Sequence, residues 1–292
     1  MTLQINNLNI NVDPELEAKA ARLVAVFNGM ESVLVAYSGG VDSALVLKVA
    51  HETLGPERAA GCLAISPSVP PREVELAKKH AAEMGVRLHL TYTKEMDKEG
   101  YVENSPNRCY YCKSTLYTEL TEMAEQQNFA FIADGFNLDD KGDHRPGQRA
   151  GKELQVRSPL VEAGFTKADI RALSKALGLP TWNKPAAACL SSRIPYGTPV
   201  TVEALEKVGR AEEYLQDLGF VGVRVRHHGD MARIEIRPTD FARFLEDGTR
   251  QQISQGLHEI GYAFVSLDLD GYRTGSLNEV IFNRKKPLNV IQ

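Results

Sequence analysis

The sequence predicts an α/β protein: a parallel sheet with helices on both faces, followed by a smaller α+β unit. Three observations predict it. Apolar runs of buried-strand length alternate with helical segments as far as Ala133. A Gly-Gly turn joins the first of these runs to a helix. After about Trp182 the pattern changes to a charged amphipathic helix and an alternating hairpin. At roughly 150 residues per domain, the 292 residues suggest two domains, expected at 1–190 and 191–292.

Each element has a local cause. Asp13 caps a helix that Pro14 opens, Leu16, Ala20, Leu23, Val24 and Phe27 line, and Asn28-Gly29 stops. Ser32 to Tyr37 is a buried strand, and Ala44 to Leu54 a helix. Strand Ala59–Ile65 is ended by Ser66-Pro67-Ser68, and helix Arg72–Met84, strand Arg87–Tyr92, helix Lys113–Gln127 and strand Phe129–Ala133 continue the alternation. Lys184 to Val200, rich in proline and glycine, reads as the connection. Then follow helix Thr201–Leu218, a hairpin of Val221–Arg226 and Ala232–Arg237 around His228-Gly229-Asp230, helices Thr239–Leu245 and Gln251–Ile260, and strand Ala263–Leu269.

Composition narrows the class. Hydrophobic residues make up 43% and charged residues 25%, as in ordinary globular chains. The net charge of −4 is not the basic footprint of a nucleic-acid binder. Met1 to Val12 has no leader pattern, and no apolar run nears the roughly 20 residues of a bilayer span. The expectation is a cytoplasmic protein with no membrane partner. Four cysteines are too few for a disulfide scaffold at this length. With reduced thiols, a CxxC pair points to metal or redox chemistry.

The strongest motif is Ser38-Gly39-Gly40-Val41-Asp42-Ser43, between strand and helix. Two glycines bring backbone N–H groups close to an anion, and the helix N-terminus adds its positive dipole end. Ser38 and Ser43 add hydroxyls. No lysine follows the glycines, so this is not a Walker A loop. The hexapeptide resembles the SGGxDS signature of the PP-loop ATP pyrophosphatases. That resemblance implies ATP cleaved between its α and β phosphates, Mg²⁺, and an adenylated substrate. It also places Ser66 against the nucleotide. Asp134 to Asp140 resembles the family's downstream acidic element, whose Asp139 and Asp140 are candidates for Mg²⁺, a hard cation that prefers oxygen.

Cys109 and Cys112 stand one turn apart, just before a predicted helix and beside Arg108 and Lys113, a setting that favours thiolate. A redox pair, a zinc site and an iron–sulfur site compete as explanations. Cys189, in Ala188-Cys189-Leu190-Ser191-Ser192-Arg193, offers a third thiolate. A four-iron cluster normally takes four, so three leave one iron open. Cys62 lies inside an apolar strand and is expected in the core.

Together SGGVDS, RCYYCK, ACLSSRIPYG and VRVRHHGDMARIEI resemble the LarE family, over roughly Pro14 to Ile281. The resemblance implies an ATP-dependent sulfur transferase acting on a small mononucleotide. It adenylates two pyridinium carboxylates and converts them to thiocarboxylates for a nickel-pincer cofactor. One branch sacrifices the cysteine matching Cys189. The other carries sulfide on a 4Fe–4S cluster. The Cys109/Cys112 pair favours the cluster, held by Cys109, Cys112 and Cys189. A homo-oligomer is also implied, with a hexamer as the form the resemblance suggests. The sulfide donor is unspecified. A PP-loop tRNA thiolase is the main rival, disfavoured by the acidic charge, and an ATP- and cluster-binding protein without turnover is another.

Arg224 and Arg226 share a strand face and, with Arg193, suit a substrate phosphate. Glu235 on the paired strand is expected to orient an arginine or join the chemistry alongside Cys189 and Asp42. Glu203, Glu212 and Glu213 are expected on a solvated helix face, with Glu213 favoured by the resemblance. His227 and His228 read as turn residues, and Trp182 and Tyr196 as core or pocket wall.

Overall fold

The computed structural model describes residues 3–5, 8–10, 12–142, 146–185 and 188–273. It separates into two compact units. One comprises Met1–Tyr101 and Asn107–Ala187, the other Val102–Pro106 and Ala188–Gln292.

The first unit is the expected parallel α/β sheet. Its elements run β1 (Leu3–Ile5), β2 (Leu8–Ile10), α1 (Pro14–Asn28), β3 (Val33–Ala36), α2 (Val41–Leu54), β4 (Ala59–Ile65), α3 (Pro71–Glu83), β5 (Leu88–Tyr92), α4 (Glu99–Val102), α5 (Arg108–Gln126), β6 (Phe131–Ala133), α6 (Gly147–Glu153), α7 (Pro159–Ala163) and α8 (Lys167–Ala176). The strand order is β5-β4-β3-β6, all parallel, with β1 and β2 a separate antiparallel pair. β3 is buried on both faces, which is why it reads as a continuous apolar run. Asp13 caps α1 by accepting the Leu16 N–H at 2.9 Å. Cys62 lies in the core, 1% exposed, and burial pushes its thiol up to about 12.

Two helices begin earlier than expected. Helix α2 starts at Val41 with Gly40 as N-cap, so Asp42 and Ser43 sit in its first turn. Helix α5 starts at Arg108, not Lys113, so Cys109 and Cys112 lie within the helix rather than before it. Three helices after β6 were not anticipated. The last, α8, carries a readable cue: Thr166 and Asp169 form a reciprocal capping box, followed by buried Ile170 and Leu173.

The second unit contains α9 (Val202–Asp217), β7 (Arg224–His228), β8 (Met231–Glu235), α10 (Phe241–Leu245), α11 (Asp247–Ile260) and β9 (Phe264–Leu267). Strands β7 and β8 form the expected antiparallel hairpin, turning at Gly229, and β9 pairs parallel to β8. Phe220, Val223, Val225, Ile234 and Leu257 fill its core. Asn104 belongs to this unit and is fully buried. Its amide donates to the Ile194, Pro195 and Thr198 carbonyls at 3.2, 2.9 and 2.9 Å. Ala186 and Ala187, within the Lys184 to Val200 connection, and Ile281, at the end of the stretch that resembles the family, lie outside the described residues. No helix among the described residues is long and apolar enough to cross a membrane.

Candidate functional site

The phosphate loop sits at the carboxyl end of β3, where open α/β sheets bind ligands. Gly39 adopts φ +70°, and a Cβ there would meet the Ala77 Cβ at 2.6 Å. Glycine is therefore required twice over, by backbone sign and by space. The Ser43 hydroxyl accepts the Ser38 N–H at 3.1 Å and lies 3.1 Å from the Ser38 hydroxyl. The two serines thus close the loop across the glycines.

Cations missing from the sequence reading surround this loop. Lys167, the first residue of α8, donates from Nζ to both Asp42 oxygens at 2.6 and 2.5 Å. Lys184 Nζ donates to the Gly39 carbonyl at 3.0 Å and pairs with Glu73 at 2.8 Å. The loop holds its lysines by tertiary contact, whereas a Walker A loop carries one in sequence. The spacing from Asp42 to Lys167 gave no local signal.

The acidic element after β6 organises the same region. Asn137 bridges two carboxylates: its amide donates to Asp42 Oδ1 at 3.4 Å, and its N–H donates to Asp140 Oδ2 at 3.2 Å. Asp139 Oδ2 accepts the Lys167 N–H at 2.7 Å, so it seats the start of α8. Gly135 lies flush against the loop, where a Cβ would stand 2.9 Å from the Ser43 nitrogen. Asp134 is buried and accepts from Tyr117 Oη at 2.9 Å, Ser158 Oγ at 2.8 Å and the Phe136 N–H at 3.1 Å. Burial raises its carboxyl above the ordinary aspartate range. Asp134 thus ties α5, which bears the cysteine pair, to the backbone packed on the phosphate loop.

Cys109 is exposed and Cys112 half-buried, both outside any disulfide and both in the first five residues of α5. The three-residue spacing puts them on neighbouring positions of one helix face. Ser66 follows β4, half-buried, with its hydroxyl 2.8 Å from that of Ser68.

In the second unit, Cys189 is a free, half-buried thiol preceding the 3-10 turn Leu190–Arg193. Arg193 organises that turn. Its guanidinium makes a bidentate pair with Glu212, both contacts 2.8 Å, and donates to the Ala188 and Cys189 carbonyls at 2.7 and 3.0 Å. Arg226 pairs in the same way with Glu235 at 2.9 and 2.7 Å, and donates to the Ser192 carbonyl at 2.8 Å. Arg224 donates to the Val223 carbonyl at 2.9 Å and stands over the Tyr272 ring; burial, with Arg193 nearby, lowers its basicity.

The expectation for Glu212 is overturned. It is 4% exposed, neutralises Arg193 and accepts the Val225 N–H at 2.9 Å, while Glu213 faces solvent. Helical spacing turns position 212 inward between Ala211 and Leu215, and a buried carboxylate there needs its arginine. Glu235 orients Arg226, as one of its two expected roles required. His227 contacts Tyr262 at 3.3 Å, and His228 is exposed at the hairpin tip.

Among the described residues no group of three or more His, Cys, Asp or Glu side chains is poised to hold a metal. Asp42 and Asp140 supply oxygen near the phosphate loop, the donor type and small ligand number that Mg²⁺ takes beside substrate phosphates. Cys109 and Cys112 supply two sulfur donors at the spacing of iron–sulfur ligand runs.

Comparison with known proteins accords with this geometry. The NAD synthase family model matches residues 20–109, which span the phosphate loop. An uncharacterised protein of Synechocystis is 45% identical over 91% of this chain and 99% of its own length. The pyridinium-3,5-bisthiocarboxylic acid mononucleotide synthase of Lactiplantibacillus plantarum is 39% identical over 91% of this chain and 96% of its own. A tRNA-specific 2-thiouridylase of Desulforamulus reducens is 27% identical over 52% of each chain. With full-length identity at this level and a phosphate loop of the same type, this chain belongs to the LarE family, ATP-using sulfur transferases of the PP-loop superfamily.

Proposed function

We propose that this enzyme adenylates the carboxylates of pyridinium-3,5-biscarboxylic acid mononucleotide and exchanges them for thiocarboxylates. The observation that carries this reading is one unit holding both an anion cradle and a CxxC pair of cysteines outside any disulfide. Ser38, Gly39, Gly40 and Ser43 receive the ATP phosphates, and Ser66 meets the nucleotide. Lys167 and Lys184, both bonded to the phosphate loop, would meet the charge that builds on the α-phosphate and the departing pyrophosphate, and fixed cations there lower the barrier. Asp42 and Asp140 would hold Mg²⁺, which neutralises phosphate charge when bound.

A substrate carboxylate oxygen attacks the α-phosphorus, pyrophosphate leaves, and the acyl adenylate then loses AMP to a sulfur nucleophile. Arg193, Arg224 and Arg226 form the cationic wall for the substrate phosphate, with Glu212 and Glu235 fixing two of the guanidiniums. Cys109, Cys112 and Cys189 would hold a 4Fe–4S cluster, which supplies a replaceable sulfide when loaded. The protein's part is to present three thiolates and to leave one iron unligated. The two-unit division into an ATP-binding unit and a substrate-gripping unit, a cytoplasmic location and a homo-oligomeric state belong to the same proposal.

The test is anaerobic turnover of the iron- and sulfide-reconstituted protein with ATP, Mg²⁺ and the dicarboxylate mononucleotide. Pyrophosphate and AMP release that requires the mononucleotide supports the proposal. Absence of that dependence contradicts it.

A further inference from the structure

Glu95 is an unused buried acid. It begins the 3-10 turn Glu95–Asp97 just beyond β5, is 1% exposed, and its Oε2 has no hydrogen-bond partner among the described residues. Its Oε1 accepts the Ser68 hydroxyl at 3.2 Å. Ser68, 3% exposed, lies 2.8 Å from the Ser66 hydroxyl at the carboxyl end of neighbouring β4. A buried carboxylate with a single neutral partner adds little to stability. What it does fix is the direction of the hydroxyl chain.

The proton count is short. Serine has one O–H. Ser68 gives its proton to Glu95, so the hydrogen between the two serines comes from Ser66. Ser66 also accepts the Ser68 N–H at 3.2 Å. Ser66 therefore faces its half-open side with one lone pair and no proton. A phosphate oxygen is an acceptor and gains nothing there. The nucleoside carries donors: the exocyclic amine of adenine and the ribose hydroxyls.

We propose that Glu95 is a positioning residue that makes Ser66 an obligate acceptor, so that Ser66 recognises a hydrogen-bond donor of the nucleoside and not a phosphate. This rests on the reading of Ser66 as a nucleotide contact. It assigns that contact to nucleotide selection, leaving the triphosphate to the glycine loop.

Equilibrium binding by calorimetry tests it, with ATP, inosine triphosphate, 2′-deoxy-ATP, 3′-deoxy-ATP and inorganic tripolyphosphate. Inosine triphosphate lacks the amine, and each deoxy nucleotide lacks one hydroxyl. The wild-type protein is expected to bind one of these analogues about tenfold more weakly than ATP. Ser66→Ala should weaken ATP by a similar factor, erase that discrimination and leave tripolyphosphate unchanged. Ser68→Ala and Glu95→Leu should each reduce that discrimination below the wild-type factor, because each releases the Ser66 proton and lets the hydroxyl donate as well as accept. Equal wild-type affinity for every analogue overturns the proposal. So does an equal loss of ATP and tripolyphosphate in Ser66→Ala, which would place Ser66 on phosphate with the nucleotide reading intact. Unchanged ATP binding in Ser66→Ala overturns the nucleotide contact itself. Wild-type discrimination in both Ser68→Ala and Glu95→Leu removes Glu95 from the account.

Discussion

Lys167 and Glu212 show how single side chains decide the chemistry. Lys167 neutralises Asp42 through a half-exposed pair, which is worth about 1 kcal/mol or less to stability. Lys167→Met should therefore leave the thermal midpoint nearly unchanged. Mononucleotide-dependent pyrophosphate release should nevertheless fall about 100-fold, the scale of removing one fixed charge-stabilising donor. Glu212 behaves in the opposite way. Its pair with Arg193 is buried on both sides, at 6% and 4% side-chain exposure. Glu212→Ala strands that guanidinium and should cost about 3–5 kcal/mol in a urea denaturation series. Glu213→Ala, at the solvated neighbouring position, should stay within about 0.5 kcal/mol. The sequence pointed to the wrong member of this pair because periodicity places a residue on a face but does not name its partner.

The strut between α5 and the β6 loop links the cysteine pair to the phosphate loop. Its central group, Asp134, has its carboxyl raised by burial. A raised acid binds protons more tightly in the folded state, so its stabilising effect is complete at low pH. That effect is lost as pH climbs through the folded value. Urea midpoints of wild type and Asp134→Asn should therefore diverge in slope. Above the ordinary aspartate range the wild type loses stability with rising pH relative to the variant. Parallel pH profiles would show that Asp134 does not titrate in that window.

Most elements were legible in the sequence because their signals are local. Asp13-Pro14 opens α1, Asn28-Gly29 ends it, and Gly229 turns the hairpin. The SGGVDS loop was legible for the same reason: its glycine chemistry is contiguous. The starts of α2 and α5 differ from the sequence expectation because neither Gly40 nor Asn107 makes a side-chain capping bond, so no local capping signal marks either first turn. Lys167, Lys184 and Glu95 were invisible because their partners lie 27 to 145 residues away in sequence. Tertiary pairing of that kind leaves no periodic trace.

At the scale of the whole molecule, the first unit carries the loop, its lysines and two thiols. The second carries Cys189 inside a turn pinned by Arg193 and Arg226. Anaerobically purified protein should be brown, and Cys109→Ala should lose the colour, as read by visible absorbance. The proposed sulfur source is a replaceable sulfide and not the chain itself. Intact-mass and peptide mass spectrometry after anaerobic turnover with ATP and the dicarboxylate mononucleotide tests it most directly. Thiocarboxylate product in molar excess over chains, with the Cys189 thiol intact, is expected. Product limited to one sulfur per chain, with dehydroalanine at position 189, would contradict it.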